Sequence, residues 1–156
     1  MGIDPGMALV GYGVIEIKNN QVILQTSGSI RTDKELSVPK RLAEIMGDVK
    51  QLIELYQPDV VSVEDLFFFK NQKTIIPVAQ ARGVILAVIE SLNVPIYEYT
   101  PMQVKQVLTG YGRATKKEVE DMVKLVITNK ELPKLDDTVD AIAIAICHAR
   151  SQLLFK

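Results

Sequence analysis

The sequence predicts an α/β domain, a mixed β-sheet with helices packed on it, and three observations carry that prediction. Segments rich in β-branched and aromatic residues fill the chain up to Arg31. From Val38 onward the apolar spacing becomes helical, broken by two short apolar runs at Val60–Glu64 and Val94–Tyr99. Finally, Leu135 to His148 reads LDDTVDAIAIAICH, where Asp140 is the only polar side chain between Val139 and Cys147. A helix that is apolar nearly all round must be wrapped by protein.

Met1–Asp4 is a short apolar stretch running into Asp4-Pro5-Gly6, where proline presets a turn and glycine accepts it, so a strand should end there. Val10–Ile17 (VGYGVIEI) is strand-like, and Gly11 and Gly13 let another backbone come close. Gln21–Arg31 follows the Asn19-Asn20 turn and completes an antiparallel meander. Leu42, Ile45, Met46, Val49, Leu52, Ile53 and Tyr56 then mark one face of a helix over Val38–Tyr56. After the Gln57-Pro58-Asp59 break, Val60–Glu64 reads as a buried parallel strand with Glu64 at its carboxyl end, where open α/β sheets keep their ligands.

Beyond a loop carrying Phe67-Phe68-Phe69-Lys70-Asn71, Lys73–Leu92 is predicted helical, its apolar residues too widely spread for one buried stripe. Such a helix also suits a subunit contact. Val94–Tyr99 is a further strand, and Pro101–Leu108 a short helix opened by proline. Gly110–Ala114 is a basic turn, Thr115 with Glu118 forms a capping box for a helix to about Thr128, and Asn129–Asp136 leads into the last helix. The order β-β-β-α-β-α-β-α-α-α fits a ribonuclease-H-like arrangement, a mixed five-stranded sheet flanked by helices.

With 156 residues and 47% hydrophobic composition, a single domain spanning 1–156 is expected. The longest apolar runs, Val84–Ile89 and Ala141–Cys147, fall short of membrane-spanning length, so a cytoplasmic protein is expected. The lone Cys147 excludes an internal disulfide and a thiolate metal cluster. A formal charge of -1 argues mildly against nucleic-acid binding unless basic residues cluster locally.

Asp137 and Asp140 are three residues apart, so both project from one face of the last helix's first turn. Each acid has a structural explanation: Asp136 or Asp137 can cap the helix, Asp140 can favour its positive end, Asp4 can start the Pro-Gly turn, and Glu64 can be an exposed strand end. The conjunction is what those explanations miss. If the first and fourth strands are neighbours, Asp4, Glu64, Asp137 and Asp140 can converge. Packed carboxylates repel unless a cation neutralises them, and an oxygen-only set favours Mg²⁺ or Mn²⁺. Two such ions about 4 Å apart can activate water and stabilise a leaving oxygen on phosphorus, which points to phosphodiester hydrolysis.

The ordered segments Gly2-Ile3-Asp4-Pro5-Gly6, Gly11-Tyr12-Gly13-Val14-Ile15, Val63-Glu64-Asp65-Leu66-Phe67, Gln80-Ala81-Arg82-Gly83-Val84, Val104-Lys105-Gln106 and Asp137-Thr138-Val139-Asp140-Ala141-Ile142-Ala143-Ile144-Ala145 cover essentially the whole chain. In this order they resemble the bacterial RuvC-type Holliday-junction resolvases. The resemblance implies a homodimeric, Mg²⁺-dependent endonuclease, with Mn²⁺ a substitute, that makes paired symmetric nicks in four-way DNA junctions during recombination and repair. It implies Asp4, Glu64, Asp137 and Asp140 as the metal-binding catalytic acids, leaving Asp136 as the helix cap. A branch-migration motor is the implied partner.

Further positions follow from the same resemblance. Phe67 matches an aromatic that pushes on a base near the junction centre, and aromatic faces suit unstacked bases in general. Phe68 and Phe69 read as core residues. Lys105 and Lys116 match lysines near the scissile strand. Arg82, Arg113, Lys70, Lys73 and Lys117 would extend a basic rim over the cleft. His148 stands at the far end of the last helix, where a cation suits the dipole, and takes no catalytic role. Family members carry a few more apolar residues ahead of the Gly2–Gly6 segment, so a short first strand is predicted.

Three rival functions share parts of this pattern. An RNA-processing nuclease could use the same scaffold and metal cluster, because substrate choice lives in the surface. An actin-like ATPase lobe also has an Asp-Gly hairpin, but 156 residues leave no room for a second lobe to close on a nucleotide. A metal-free architectural dimer would gain nothing from gathering four like charges.

Overall fold

The computed structural model describes residues 1–66, 72–132 and 136–154. Strands β1 (Gly2–Asp4), β2 (Leu9–Lys18), β3 (Gln21–Arg31), β4 (Val61–Glu64) and β5 (Ile96–Tyr99) alternate with helices α1 (Val38–Tyr56), α2 (Gln72–Ser91), α3 (Pro101–Thr109), α4 (Lys116–Val126) and α5 (Asp136–Leu154) as predicted. They form one five-stranded sheet in the order β3-β2-β1-β4-β5. β1, β2 and β3 pair antiparallel, whereas β1–β4 and β4–β5 are parallel. The expected neighbourhood of the first and fourth strands is therefore real, and the sheet is ribonuclease-H-like in layout.

Three layers follow from which faces are apolar. On one face α1 and α2 bury Ile45, Val49, Ile53, Ala81, Ile85 and Ile89 against the sheet. The other face is covered by α5, which α3 and α4 wrap in turn through Val104, Leu108, Val119 and Val123. Helix α5 is the element predicted to need burial all round, and Val139 and Ala141 through Cys147 are indeed buried. On α1 the buried line is narrower than predicted, since Met46 and Tyr56 at its margins are exposed.

Local chemistry sets the element ends. Helix α1 stops at Gln57, which adopts the left-handed conformation (φ 43°) just before Pro58. Capping boxes open α3, from Thr100 and Gln103, and α4, from the predicted Thr115 and Glu118. Two expectations for the last helix are corrected. It runs to Leu154, so His148 is an interior residue, not a terminal one. Asp136 is the first residue of the helix and pairs with Lys116 at 3.3 Å instead of standing outside it as a cap.

Candidate active site

Asp4 ends β1 directly opposite Gly11 of β2. On its other side β1 runs parallel to β4, with Ile3 beside Val63, so the next step along both strands sets Asp4 beside Glu64. Helix α5 must lie close to this strand pair for its acids to reach them, and missing side chains permit it. A β-carbon at Gly2 would collide with the Ala141 carbonyl, one at Gly11 with the Asp137 carbonyl, and one at Gly13 would sit 2.7 Å from Ile142 Cγ1. Glycines on the sheet and Ala141 and Ala145 on the helix thus bring the two backbones together.

The consequence is convergence of side chains far apart in sequence. Carboxylate oxygens of Asp4, Asp137 and Asp140 all lie within 4.8 Å of one another. The Glu64 side chain stands close enough to Asp4 for its charge to act on the Asp4 carboxyl. Burial, then the charges of Glu64, Asp140 and Asp137, push the Asp4 carboxyl up to about 8. Burial also raises Asp140, against the opposing pull of Lys116, whose Nζ stands 3.0 Å from Asp140 Oδ2. For Lys116 burial works downward, but Asp140 and then Asp136 prevail and raise its pKa.

Three carboxylates with oxygens within 4.8 Å of one another make an oxygen-only set of the kind that fits a hard divalent cation. Among the described residues this is the only cluster of metal-ligating side chains. Cys147 is buried away from it, and burial pushes its thiol up to about 11. Beside the acids opens a cavity of about 220 Å³ bordered by Glu64, Asp140, Lys105 and Lys116, with Val104 and Val119 among its walls. Carboxylates and two lysines bordering one cavity suit a phosphate group brought up to a cation.

The remaining predicted residues divide. Phe67 and Lys70 lie outside the described residues. Lys73 falls within α2. Arg113 is exposed in the turn between α3 and α4. Lys117 is exposed and paired with Asp121 at 3.0 Å within α4. Arg82 departs from the basic rim expected of it: its side chain is only 14% exposed and pairs with Asp65 at 3.0 Å and with Glu98. His148 is buried, its Nδ1 lies 2.9 Å from the Tyr99 hydroxyl, and burial lowers its pKa, so it serves as a neutral hydrogen-bonding residue.

Sequence reasoning missed the contacts of Arg82 and Asp65, although one signal was available. Neighbouring strand residues point to opposite faces, so Glu64 and Asp65 could not both join one cluster.

Comparison with known proteins agrees with this layout. A family model described as crossover junction endodeoxyribonuclease RuvC matches residues 1–148. A Brevibacillus brevis protein named crossover junction endodeoxyribonuclease RuvC is 52% identical over 150 residues, covering 96% of this chain and 90% of that protein. A Petrotoga mobilis protein of the same name is 49% identical over 156 residues, covering 100% and 96%. Among solved structures, Thermus thermophilus RuvC in complex with Holliday junction substrate superposes with a TM-score of 0.91 at 34% identity, covering 98% of this chain and 93% of that one.

Proposed function

The chain belongs to the crossover junction endodeoxyribonuclease RuvC family, and from that premise we propose that it is a Holliday-junction resolvase. It hydrolyses phosphodiester bonds in four-way DNA junctions, making paired symmetric nicks during homologous recombination and repair. The observation that carries this reading is the meeting of Asp4, Asp137 and Asp140 within 4.8 Å, with Glu64 beside Asp4, at the edge of the cavity bordered by Lys105 and Lys116.

Asp4, Glu64, Asp137 and Asp140 are the proposed metal ligands, for Mg²⁺ with Mn²⁺ as a substitute, two ions per site. Bound divalent ions supply the charge that activates water and stabilises the leaving oxygen. The chain's own part is to hold the ligands on two strands and one helix, so that little reorganisation remains when substrate arrives. Lys105 and Lys116 border the cavity and would offset the phosphate charge there, Lys116 from beside Asp140. Arg113 and Lys117 add sequence-independent attraction, and Phe67 stacks on an unpaired base.

We further propose that the whole chain, residues 1–156, is one nuclease domain acting as a cytoplasmic homodimer with a branch-migration motor as partner. A four-way junction has approximate two-fold symmetry, so an isologous dimer presents one cleft to each of two opposing strands. Helix α2 is the proposed interface, which accords with Ile76 being 65% exposed there. No helix of the described residues is long and apolar enough to cross a membrane.

The test is cleavage of a synthetic mobile four-way junction with and without Mg²⁺, native chain against Asp137→Asn, with linear duplex and RNA/DNA hybrid as controls. Metal-dependent paired nicks confined to the junction, and lost in the variant, are expected. Equal cutting of the hybrid would favour an RNA-processing enzyme, and junction binding without cutting an architectural protein.

A further inference from the structure

Two acids stand in succession, Glu64 closing β4 and Asp65 just beyond it, and their contacts lie on opposite faces of the sheet. Glu64 faces α5 and the acid cluster, as does Ser62, whose hydroxyl donates to the Ile144 carbonyl of α5. Asp65 faces α2 instead. On that same face β5 presents Glu98, paired in register with Val63. Between these two carboxylates lies Arg82 of α2.

Arg82 makes three separate contacts there. Its Nε donates to the backbone carbonyl of Glu64 at 3.0 Å. One terminal nitrogen reaches Asp65 Oδ1 at 3.0 Å and also Glu98 Oε2. Asp65 is held from other directions as well: its amide donates to the Tyr99 carbonyl at 2.8 Å, and its carboxylate accepts the Leu66 amide at 2.8 Å. The guanidinium is the buried member of the group, 14% exposed against 44% for Asp65 and 47% for Glu98. A planar fork with donors in fixed directions can span a carbonyl and two carboxylates, which a lysine ammonium on a flexible stem cannot do.

We infer that Arg82 is a positioning residue for Glu64, tying the carboxyl end of β4 to α2 and so setting where the Glu64 carboxylate stands. It acts from behind the strand, through the Glu64 backbone and not through the reacting atoms. Its positive charge also offsets one of the two negative charges that Asp65 and Glu98 would otherwise place behind a site already crowded with acids. The same contacts give helix α2, the proposed subunit interface, a direct mechanical link to one ligand of each active site. This inference rests on the nuclease reading for its rate effect but not for its effect on cation binding.

The experiment compares native chain, Arg82→Ala and Arg82→Lys in three measurements: Mn²⁺ binding to the protein alone by calorimetry, junction binding without divalent ions across a salt series, and single-turnover cleavage at saturating junction. Both variants are expected to bind Mn²⁺ roughly 10-fold more weakly and to cleave roughly 10- to 100-fold more slowly, as residues supporting a ligand typically do. Junction affinity and its salt dependence should stay native. A salt slope reduced by about one, with weakened junction binding, would instead make Arg82 a phosphate contact and overturn the inference. Native Mn²⁺ affinity and cleavage in the variants would overturn it equally. Should Arg82→Ala fail to fold, Arg82→Lys decides, because it keeps the charge and lacks the fork. A native chain that binds Mn²⁺ yet leaves junctions uncut removes the nuclease reading, and the Mn²⁺ titration alone then decides the role of Arg82.

Discussion

Substituting Gly11 tests the construction of the site without touching any acid. An alanine β-carbon there would lie 2.6 Å from the Asp137 carbonyl carbon and closer still to its oxygen. Carbon atoms rest about 3.5 to 4 Å apart, so β2 and the first turn of α5 must separate by about 1 Å. Both contacting atoms are backbone, so no side-chain rotation relieves the overlap. Overpacking of this kind costs roughly 1 to 3 kcal/mol. The functional loss should be larger in proportion, because the displaced turn carries Asp137 and Asp140 while Asp4 stays on β1 opposite residue 11. A misplacement near 1 Å can reduce a rate about 100-fold. Gly47→Ala is the control: no atom lies within 4 Å of its added carbon, and inside helix α1 it should stabilise by about 0.5 to 1 kcal/mol with native activity. Urea denaturation measures the stabilities, and single-turnover cleavage of a four-way junction in Mg²⁺ measures the site. A Gly11→Ala protein that cuts at the native rate would refute the claim that close backbone approach is what assembles the acids.

Other predictions concern the charges and caps. The folded state holds the Asp4 proton up to about pH 8 against an ordinary 3.8, so metal-free protein should lose stability as pH rises between those values and level off above. The upper bound is about 6 kcal/mol, of which a few kcal/mol should survive relaxation. Thermal melts from pH 5 to 9 check this, and Asp4→Asn should flatten the profile and remove the stabilisation by Mg²⁺ at pH 8. Lys116→Ala should slow junction cleavage roughly 100-fold while lowering the salt slope of binding by about one; native kinetics would show that its contact with Asp140 is incidental. Thr100→Ala removes the hydroxyl that accepts the Gln103 amide at the start of α3 and should cost about 1 kcal/mol in urea denaturation. Because α3 carries Lys105 to the cavity, a modest loss of cleavage should accompany it.

Much of the fold was legible because local rules act on it directly. The helical spacing from Leu42 to Tyr56, the Thr115–Glu118 capping box and the break at Gln57-Pro58 placed their elements to within a residue or two. The four acids could be nominated because each stood at a strand end or a helix start, where side chains meet water. The length of α5 was misjudged, since nothing in the residues after His148 marks a stop and the helix runs on to Leu154. The contacts of Arg82 were hidden for a different reason. Charge alone suggested a rim contact with DNA, and its partners Asp65 and Glu98 are 17 and 16 residues away along the chain, joined only by strand register.

By itself the sequence determined the kinds of element, their order, and the pool of acids and lysines available for chemistry, because propensity, periodicity and capping are short-range properties. Tertiary structure decided which of those residues meet. Parallel pairing of β1 with β4 set Asp4 beside Glu64, and glycines at 2, 11 and 13 let α5 descend until Asp137 and Asp140 joined them. The chain at Glu64–Asp65 then divided two adjacent acids between the acid cluster and an arginine. Distances across a sheet depend on register and backbone approach, and these are settled only when the whole core packs.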